Sequence, residues 1–202
     1  MKILNKFFFI LIVCGSIVPS TAGKCFAASN FAAPVKTQTV VSEADIALSK
    51  TAEEAKALYN SGTVFFEKAD YDAAIRDLSA SIALEPKSAD TYYNRALAYR
   101  GKKMFDEAIA DYTKAIEIYP AHAFFLNRCN AYIAKEDYDK AIIDGTNAIT
   151  LSRKDPQSYL LRGMAYLFKG DKQNALADAN RGLEHDPNNV GLLKLKDEAE
   201  KN

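Results

Sequence analysis

The stretch Tyr71-Asp-Ala-Ala-Ile-Arg-Asp returns as Phe105-Asp-Glu-Ala-Ile-Ala-Asp, as Tyr138-Asp-Lys-Ala-Ile-Ile-Asp and, with more changes, as Lys172-Gln-Asn-Ala-Leu-Ala-Asp. Successive copies start 34, 33 and 34 residues apart. A period of this length indicates a series of stacked structural repeats. One repeat cannot bury its apolar face alone, so at least three must stack, and this chain offers four.

A second pattern precedes each copy: a large residue, a small residue four positions later and an aromatic residue three positions beyond. The small residues are Gly62, Ala96, Cys129 and Gly163, and the aromatic ones are Phe65, Tyr99, Tyr132 and Tyr166. We expect the small residues to let the two helices of a unit approach closely, and the aromatic residues to fill the space between units. Pro86, Pro120 and Pro187 close three of the units, because proline cannot continue a helix.

The two patterns together resemble the tetratricopeptide repeat family, over residues 55–187. Two departures are Gly145 and Ala179, which stand where a large residue is usual. The resemblance implies an all-α fold, a right-handed superhelical array of four helical hairpins followed by a C-terminal capping helix. The predicted units are about 55–88, 89–121, 122–155 and 156–189, with the capping helix at 190–202.

The first 27 residues have the order of a secretory signal peptide. Lys2 and Lys6 precede an apolar run, Pro19 breaks it, and small residues follow. Cleavage after Ala22 and cleavage after Ala27 fit equally well. We therefore expect an exported protein. Its expected location is the periplasm or cell envelope, with secretion as the alternative. An uncleaved anchor is the rival interpretation, although a membrane span needs about 20 apolar residues.

Residues 28–50 are predicted to be a flexible linker that contains a possible short helix from Ser42 to Lys50. Thr51-Ala-Glu-Glu then matches a capping box, in which the threonine hydroxyl and the glutamate satisfy free backbone amides. This motif predicts that the repeat domain opens at Thr51 and extends over residues 51–202.

Composition and motifs argue against catalysis and nucleic-acid binding. The chain has 202 residues with 26 basic and 26 acidic side chains, so no excess of positive charge favours nucleic acid. Phosphate-binding loops and paired-cysteine motifs are absent from the sequence, and His122 and His185 are expected to be ordinary surface residues. We expect no enzyme activity, no cofactor and no metal site, and a structural role for buried Cys129.

Aspartate recurs at one repeat position, and arginine recurs at another. The aspartates are Asp77, Asp111, Asp144 and Asp178, and the arginines are Arg95, Arg128 and Arg162. A row of carboxylates can bind metal or perform acid–base chemistry. Because each arginine follows an aspartate by 17 or 18 residues, an Asp–Arg ladder between units is the favoured interpretation.

The resemblance implies that the first helix of each unit lines a concave groove. The candidate peptide-binding residues there are Tyr59, Phe66, Tyr93, Asn94, Leu97, Leu126, Asn130, Ile133, Leu160, Met164, Leu167 and Phe168. They become more apolar towards the C-terminus, and an exposed apolar stripe often marks an interaction site. One family subgroup binds a C-terminal carboxylate with lysine, asparagine and arginine. Only Asn94 fits that set, because Tyr59, Thr63, Ala123 and Asn127 occupy its other positions.

Three occupants of the groove remain open: a partner's peptide or amphipathic helix, the chain's own residues 28–50, and a second copy in a homodimer. We predict a non-catalytic protein–protein interaction scaffold of the cell envelope. The alternatives are a self-associating structural envelope protein and an accessory subunit of an enzyme complex. Contact with a membrane is expected only through an uncleaved signal segment.

Overall fold

The computed structural model describes residues 42–201. The predicted signal peptide and residues 28–41 of the predicted linker lie outside this range. The described residues form nine α-helices and no β-strand. The helices are α1 (Glu43–Glu67), α2 (Tyr71–Leu84), α3 (Ala89–Gly101), α4 (Phe105–Ile118), α5 (His122–Ala134), α6 (Tyr138–Leu151), α7 (Pro156–Phe168), α8 (Lys172–His185) and α9 (Val190–Glu200).

Consecutive helices pack against each other along the whole series. Four hairpins result, α1 with α2, α3 with α4, α5 with α6 and α7 with α8, and each packs on the next. Helix α9 covers α8 and also contacts α7. The predicted fold class, an all-α array of four hairpins with a terminal helix, is confirmed.

The start of α1 differs from the prediction. Its N-cap is Ser42, whose hydroxyl accepts from the Asp45 amide while the Asp45 carboxylate accepts from the Ser42 amide. Thr51 lies inside the helix, where its hydroxyl donates to the Leu48 carbonyl at 2.8 Å. The capping box predicted at Thr51 is therefore wrong. Ser42 and Asp45 supply the same chemistry nine residues earlier, and no proline or glycine interrupts residues 43–50.

Each hairpin turns through one residue with a positive φ. These residues are Ala69 (59°), Lys103 (61°), Glu136 (61°) and Gly170 (89°). The amide of the next residue donates to the carbonyl of the unit's aromatic residue, as from Asp171 to Tyr166 at 2.8 Å. This is the Schellman arrangement that ends a helix. Asp171 then caps α8 by accepting from the Asn174 amide, so one short turn ends one helix and begins the next.

Small residues set the distance between helices, as predicted. A Cβ atom added to Gly62 of α1 would lie 2.6 Å from Leu78 Cγ of α2. A Cβ atom added to Gly163 of α7 would lie 3.2 Å from Asp178 Cβ of α8, the second helix of its unit, and 2.5 Å from Leu195 Cδ2 of α9. Side chains larger than hydrogen cannot enter either contact without displacing a neighbour.

The Asp–Arg pairs lie within units, which corrects the prediction of a ladder between them. The Arg128 guanidinium donates to both carboxylate oxygens of Asp144 at 2.7 and 2.8 Å. The reason is the hairpin geometry, which brings an arginine of the first helix against the aspartate 16 residues later in the second. The other pairs of this kind are Arg95 with Asp111 and Arg162 with Asp178.

Contacts between units include the same arginines and surface lysines. Each paired arginine donates a further hydrogen bond to a hydroxyl of the preceding hairpin, as Arg128 does to Thr113 Oγ1 at 2.9 Å. Lysines form ion pairs with the preceding unit at the surface: Lys102 with Asp72, Lys135 with Asp106 and Lys169 with Asp139. Exposed pairs of this kind contribute little to stability.

Candidate peptide-binding groove

The predicted groove residues all lie on α1, α3, α5 and α7, the first helices of the four units. Ten of the twelve are half-buried, and Asn130 and Phe168 are exposed. Half-buried side chains serve the core and also offer a face to a partner. Their part in binding remains a prediction.

The half of the groove nearer the N-terminus carries polar side chains beside Phe66 and Leu97, and these polar side chains form hydrogen bonds across units. Asn94 Nδ2 donates to the Tyr59 hydroxyl of the preceding unit at 2.9 Å. Asn127 Nδ2 repeats this contact with the Tyr93 hydroxyl at 3.0 Å. Because the same contact recurs one unit later, it fixes the tyrosine rings along this part of the groove. Asn127 was not among the candidate residues.

The half nearer the C-terminus is apolar and holds a cavity of about 320 Å³ between α7 and α9. Its lining residues are Leu160, Met164, Leu167, Phe168, Gly191, Lys194, Leu195 and Glu198. A Cβ atom added to Gly191 would lie 2.8 Å from Leu160 Cδ2, so glycine permits the close approach of the two helices. The sequence predicted α9 as a cover for the last unit, and its contribution to this cavity was not predicted.

The apolar surface continues from this cavity into the third unit. Met164 packs against the buried cluster of the fourth unit and also against that of the third. Leu126 and Ile133 of α5 pack on the same cluster of the third unit. Met164 therefore links the cavity to the apolar residues of the third unit, and Leu126 and Ile133 are half-buried there.

Contacts between aromatic rings hold two side chains of the groove, one in the second unit and one in the fourth. Tyr93 stacks at an angle on Phe124, with ring centroids 4.7 Å apart. Phe168 lies 5.7 Å from the Tyr138 ring and keeps 52% of its surface exposed. A large, exposed aromatic ring held by a neighbour is well suited to contact a partner, since little conformational entropy is lost on binding.

His122 differs from its prediction as a surface residue. It is half-buried at the N-terminus of α5, with Nε2 lying 2.9 Å from Ser158 Oγ. Ser158 is fully buried and donates its hydroxyl proton to Asp155 at 2.6 Å. The Asp155 carboxylate in turn caps α7 by accepting from the Ser158 amide. This Ser–His–Asp group therefore joins the third and fourth units, and its buried hydroxyl is not open to a substrate.

Two buried groups have strongly altered acidity. Burial raises the pKa of the Cys129 thiol to about 12, and the thiol lies 3.2 Å from the Ala141 carbonyl, to which it donates. Burial also raises the pKa of Tyr112, whose hydroxyl has no hydrogen-bond partner among the described residues. Within residues 42–201, no three histidine, cysteine or acidic side chains come together as a metal site. None of the helices there is both long and apolar enough to span a membrane.

Stacked hairpins with these small, aromatic and capping residues define a tetratricopeptide repeat solenoid. Family models support this assignment over three segments. The models described as tetratricopeptide repeat match residues 89–122 and 156–189, and one described as TPR repeat matches residues 62–103. This chain therefore contains tetratricopeptide repeats. No curated protein sequence matches it.

Solved structures with the same fold include MamA and YrrB. A crystal structure of MamA protein superposes with a TM-score of 0.67 at 19% identity, covering 73% of this chain and 86% of that one. A MamA fragment from Desulfovibrio magneticus RS-1 gives 0.67 at 16% identity, covering 71% and 81%. YrrB, described as a TPR protein with an unusual peptide-binding site, gives 0.63 at 19% identity, covering 79% and 91%. At such identities the likeness concerns the fold.

Proposed function

We propose that this protein is a non-catalytic scaffold that binds a peptide or helix of a partner protein in the groove formed by α1, α3, α5 and α7. The observation that carries this proposal is the apolar cavity between α7 and α9, whose Met164 also packs on the apolar cluster of the third unit. Apolar pockets beside polar, hydrogen-bonding side chains are the usual form of a peptide site. The peptide-binding site described for YrrB adds support at the level of the fold.

Peptide selection tests the proposal. The 202-residue chain is immobilised and offered a random dodecapeptide library, and the affinity of an enriched peptide is measured by fluorescence anisotropy. We expect Phe168→Ser to weaken binding about tenfold or more, because an exposed aromatic anchor is lost. Ile143→Ser is the matched control, since Ile143 is 60% exposed but lies on α6, a second helix.

The result separates the proposal from its alternatives. If both variants lost the same affinity for the peptide, or if neither lost any, the binding site would not lie in the groove. Failure to select any peptide, combined with a chain that forms oligomers, would favour the self-associating structural protein instead.

The location outside the cytoplasm is part of the same proposal and rests on the order of residues 1–27. Mass spectrometry of the protein isolated from its native host tests it. We expect an N-terminus that follows Ala22 or Ala27 and recovery in the envelope or the medium. An intact N-terminus in the cytoplasmic fraction would contradict export.

A further inference from the structure

Arg100 of α3 is a half-buried arginine without a carboxylate partner. Arg95, Arg128 and Arg162 are also half-buried, and each donates two hydrogen bonds to an aspartate. Among residues 42–201, no carboxylate oxygen lies within 4.0 Å of the Arg100 guanidinium. Within the described part of the chain, Asn127 Oδ1 is the acceptor for Arg100, at 2.7 Å.

Close to Arg100, the described residues supply a further hydrogen-bond donor and no carboxylate within 4.0 Å of its guanidinium. The Tyr93 hydroxyl accepts from Asn127, the residue that also contacts Arg100, and its own proton is donated to no described residue. Burial raises the pKa of Tyr93 and of Tyr112, while the positive charge of Arg100 acts against that rise. Both tyrosines are therefore neutral at physiological pH and retain their protons.

Arg100 is half-buried, and most of its guanidinium donors have no partner among the described residues. A carboxylate placed there would supply the charge-assisted hydrogen bonds that Arg100 lacks. Arginine and carboxylate match in shape, and the other three half-buried arginines of this chain all take one. We propose that Arg100 and Tyr93, bridged by Asn127, bind a carboxylate of the peptide that occupies the groove. This inference rests on the proposed function and adds the chemistry of the ligand.

The proposed site differs from the carboxylate-binding set of the family subgroup. The cation comes from Arg100, near the end of α3, whereas the cation positions of that set carry Tyr59, Ala123 and Asn127. The site lies in the second and third units, and the apolar cavity lies in the fourth unit and α9. A fitting peptide therefore carries a carboxylate at one point and an apolar side chain at another.

Two synthetic dodecapeptide libraries, one with free C-terminal carboxylates and one with C-terminal amides, test the site. Both are offered to the wild-type chain, to Arg100→Gln and to Arg181→Gln. Arg181 is the matched control, because it is an exposed arginine of α8 whose side chain makes no hydrogen bond to a described residue. We expect the peptides selected by the wild type to bind Arg100→Gln at least about tenfold more weakly and Arg181→Gln equally well.

The libraries also identify the source of the carboxylate. Binders from the free-acid library alone would indicate a C-terminal carboxylate, and binders with a recurring aspartate or glutamate in both libraries would indicate a side chain. The selected peptides could instead share no acidic group and bind Arg100→Gln as tightly as the wild type. That result would overturn the carboxylate site and leave the proposed function standing. Failure of both libraries to yield a peptide would overturn the two together.

A second measurement avoids dependence on the folding of the variant. Sodium acetate is titrated into the wild-type chain while the Nε–Hε resonances of its arginines are followed by ¹⁵N NMR, with sodium chloride at equal ionic strength as the control. We expect a saturating shift for Arg100 that acetate causes and chloride does not. An Arg100 shift no larger than that of Arg181 would overturn the proposal.

Discussion

Removing the carboxylate of Asp144 should destabilise the third unit strongly. Asp144 is almost fully buried, with 2% of its side chain exposed, and Arg128 has 15% exposed. The change Asp144→Ala removes two charge-assisted hydrogen bonds of 2.7 and 2.8 Å and leaves the guanidinium half-buried without a counter-charge. Breaking a buried pair from one side costs about 3–5 kcal/mol. For a chain of this size the melting temperature should fall by about 6–20 °C.

Urea denaturation followed by far-UV circular dichroism measures this cost. Asp139→Ala is the matched control, because Asp139 is 75% exposed and pairs with Lys169 at the surface. We expect the urea midpoint of that control to stay close to wild type. A smaller slope in the Asp144→Ala curve would show that the units unfold separately, as repeat arrays can.

The double variant Arg128→Met, Asp144→Leu separates the pair from its surroundings. Arg128 lies between the rings of Phe125 and Tyr132, so methionine retains an apolar environment. Replacing both partners should restore most of the stability lost in Asp144→Ala. A cost below about 1 kcal/mol for Asp144→Ala, or a double variant less stable than Asp144→Ala, would show that the unpaired Arg128 charge is not what destabilises the unit.

Three further predictions concern single positions. Ser61 donates to Asp77 at 2.6 Å and lowers the pKa of that carboxyl, so Ser61→Ala should destabilise by about 1 kcal/mol at neutral pH. Because the bond favours the ionised form, that difference should shrink as the pH falls below 3.8 in urea titrations. Gly170→Ala should lower the free energy of unfolding by about 1 kcal/mol in thermal melts, because φ is 89° and the added Cβ would contact nothing that offsets the strain. Lys103→Gly should stabilise the protein, because Lys103 has a positive φ of 61°. In a Cys14→Ser, Cys25→Ser background, Cys129 should react with Ellman's reagent at pH 8 about a thousandfold more slowly when folded than in urea.

The repeat pattern made the fold predictable because each unit specifies the same local geometry four times. Small residues such as Gly62 and Gly163 predicted close helix contacts, and those contacts are present. The first turn of α1 was harder to predict, since two capping motifs of similar chemistry stand nine residues apart. Local sequence does not decide between them, and the helix begins at the first.

The candidate groove was predictable only as a set of positions on the first helices. The cavity partner α9 was missed because Gly191 and Lys194 belong to a helix that follows the last repeat. The direction of the Asp–Arg pairs was also missed, because spacings of 16 within a unit and 17 or 18 between units are almost equal. That Arg100 has no carboxylate partner among the described residues depends on which side chains surround it, and this is visible only in three dimensions.

The central claim is that a peptide occupies the apolar end of the groove, and methionine methyl NMR tests it most directly. The chain has three methionines, of which Met164 lines the cavity and Met104 precedes α4. With ¹³C-methyl methionine, an enriched peptide should shift the Met164 resonance to saturation at the affinity measured by anisotropy and leave Met104 unchanged. Saturable binding without a shift of Met164 would contradict the account.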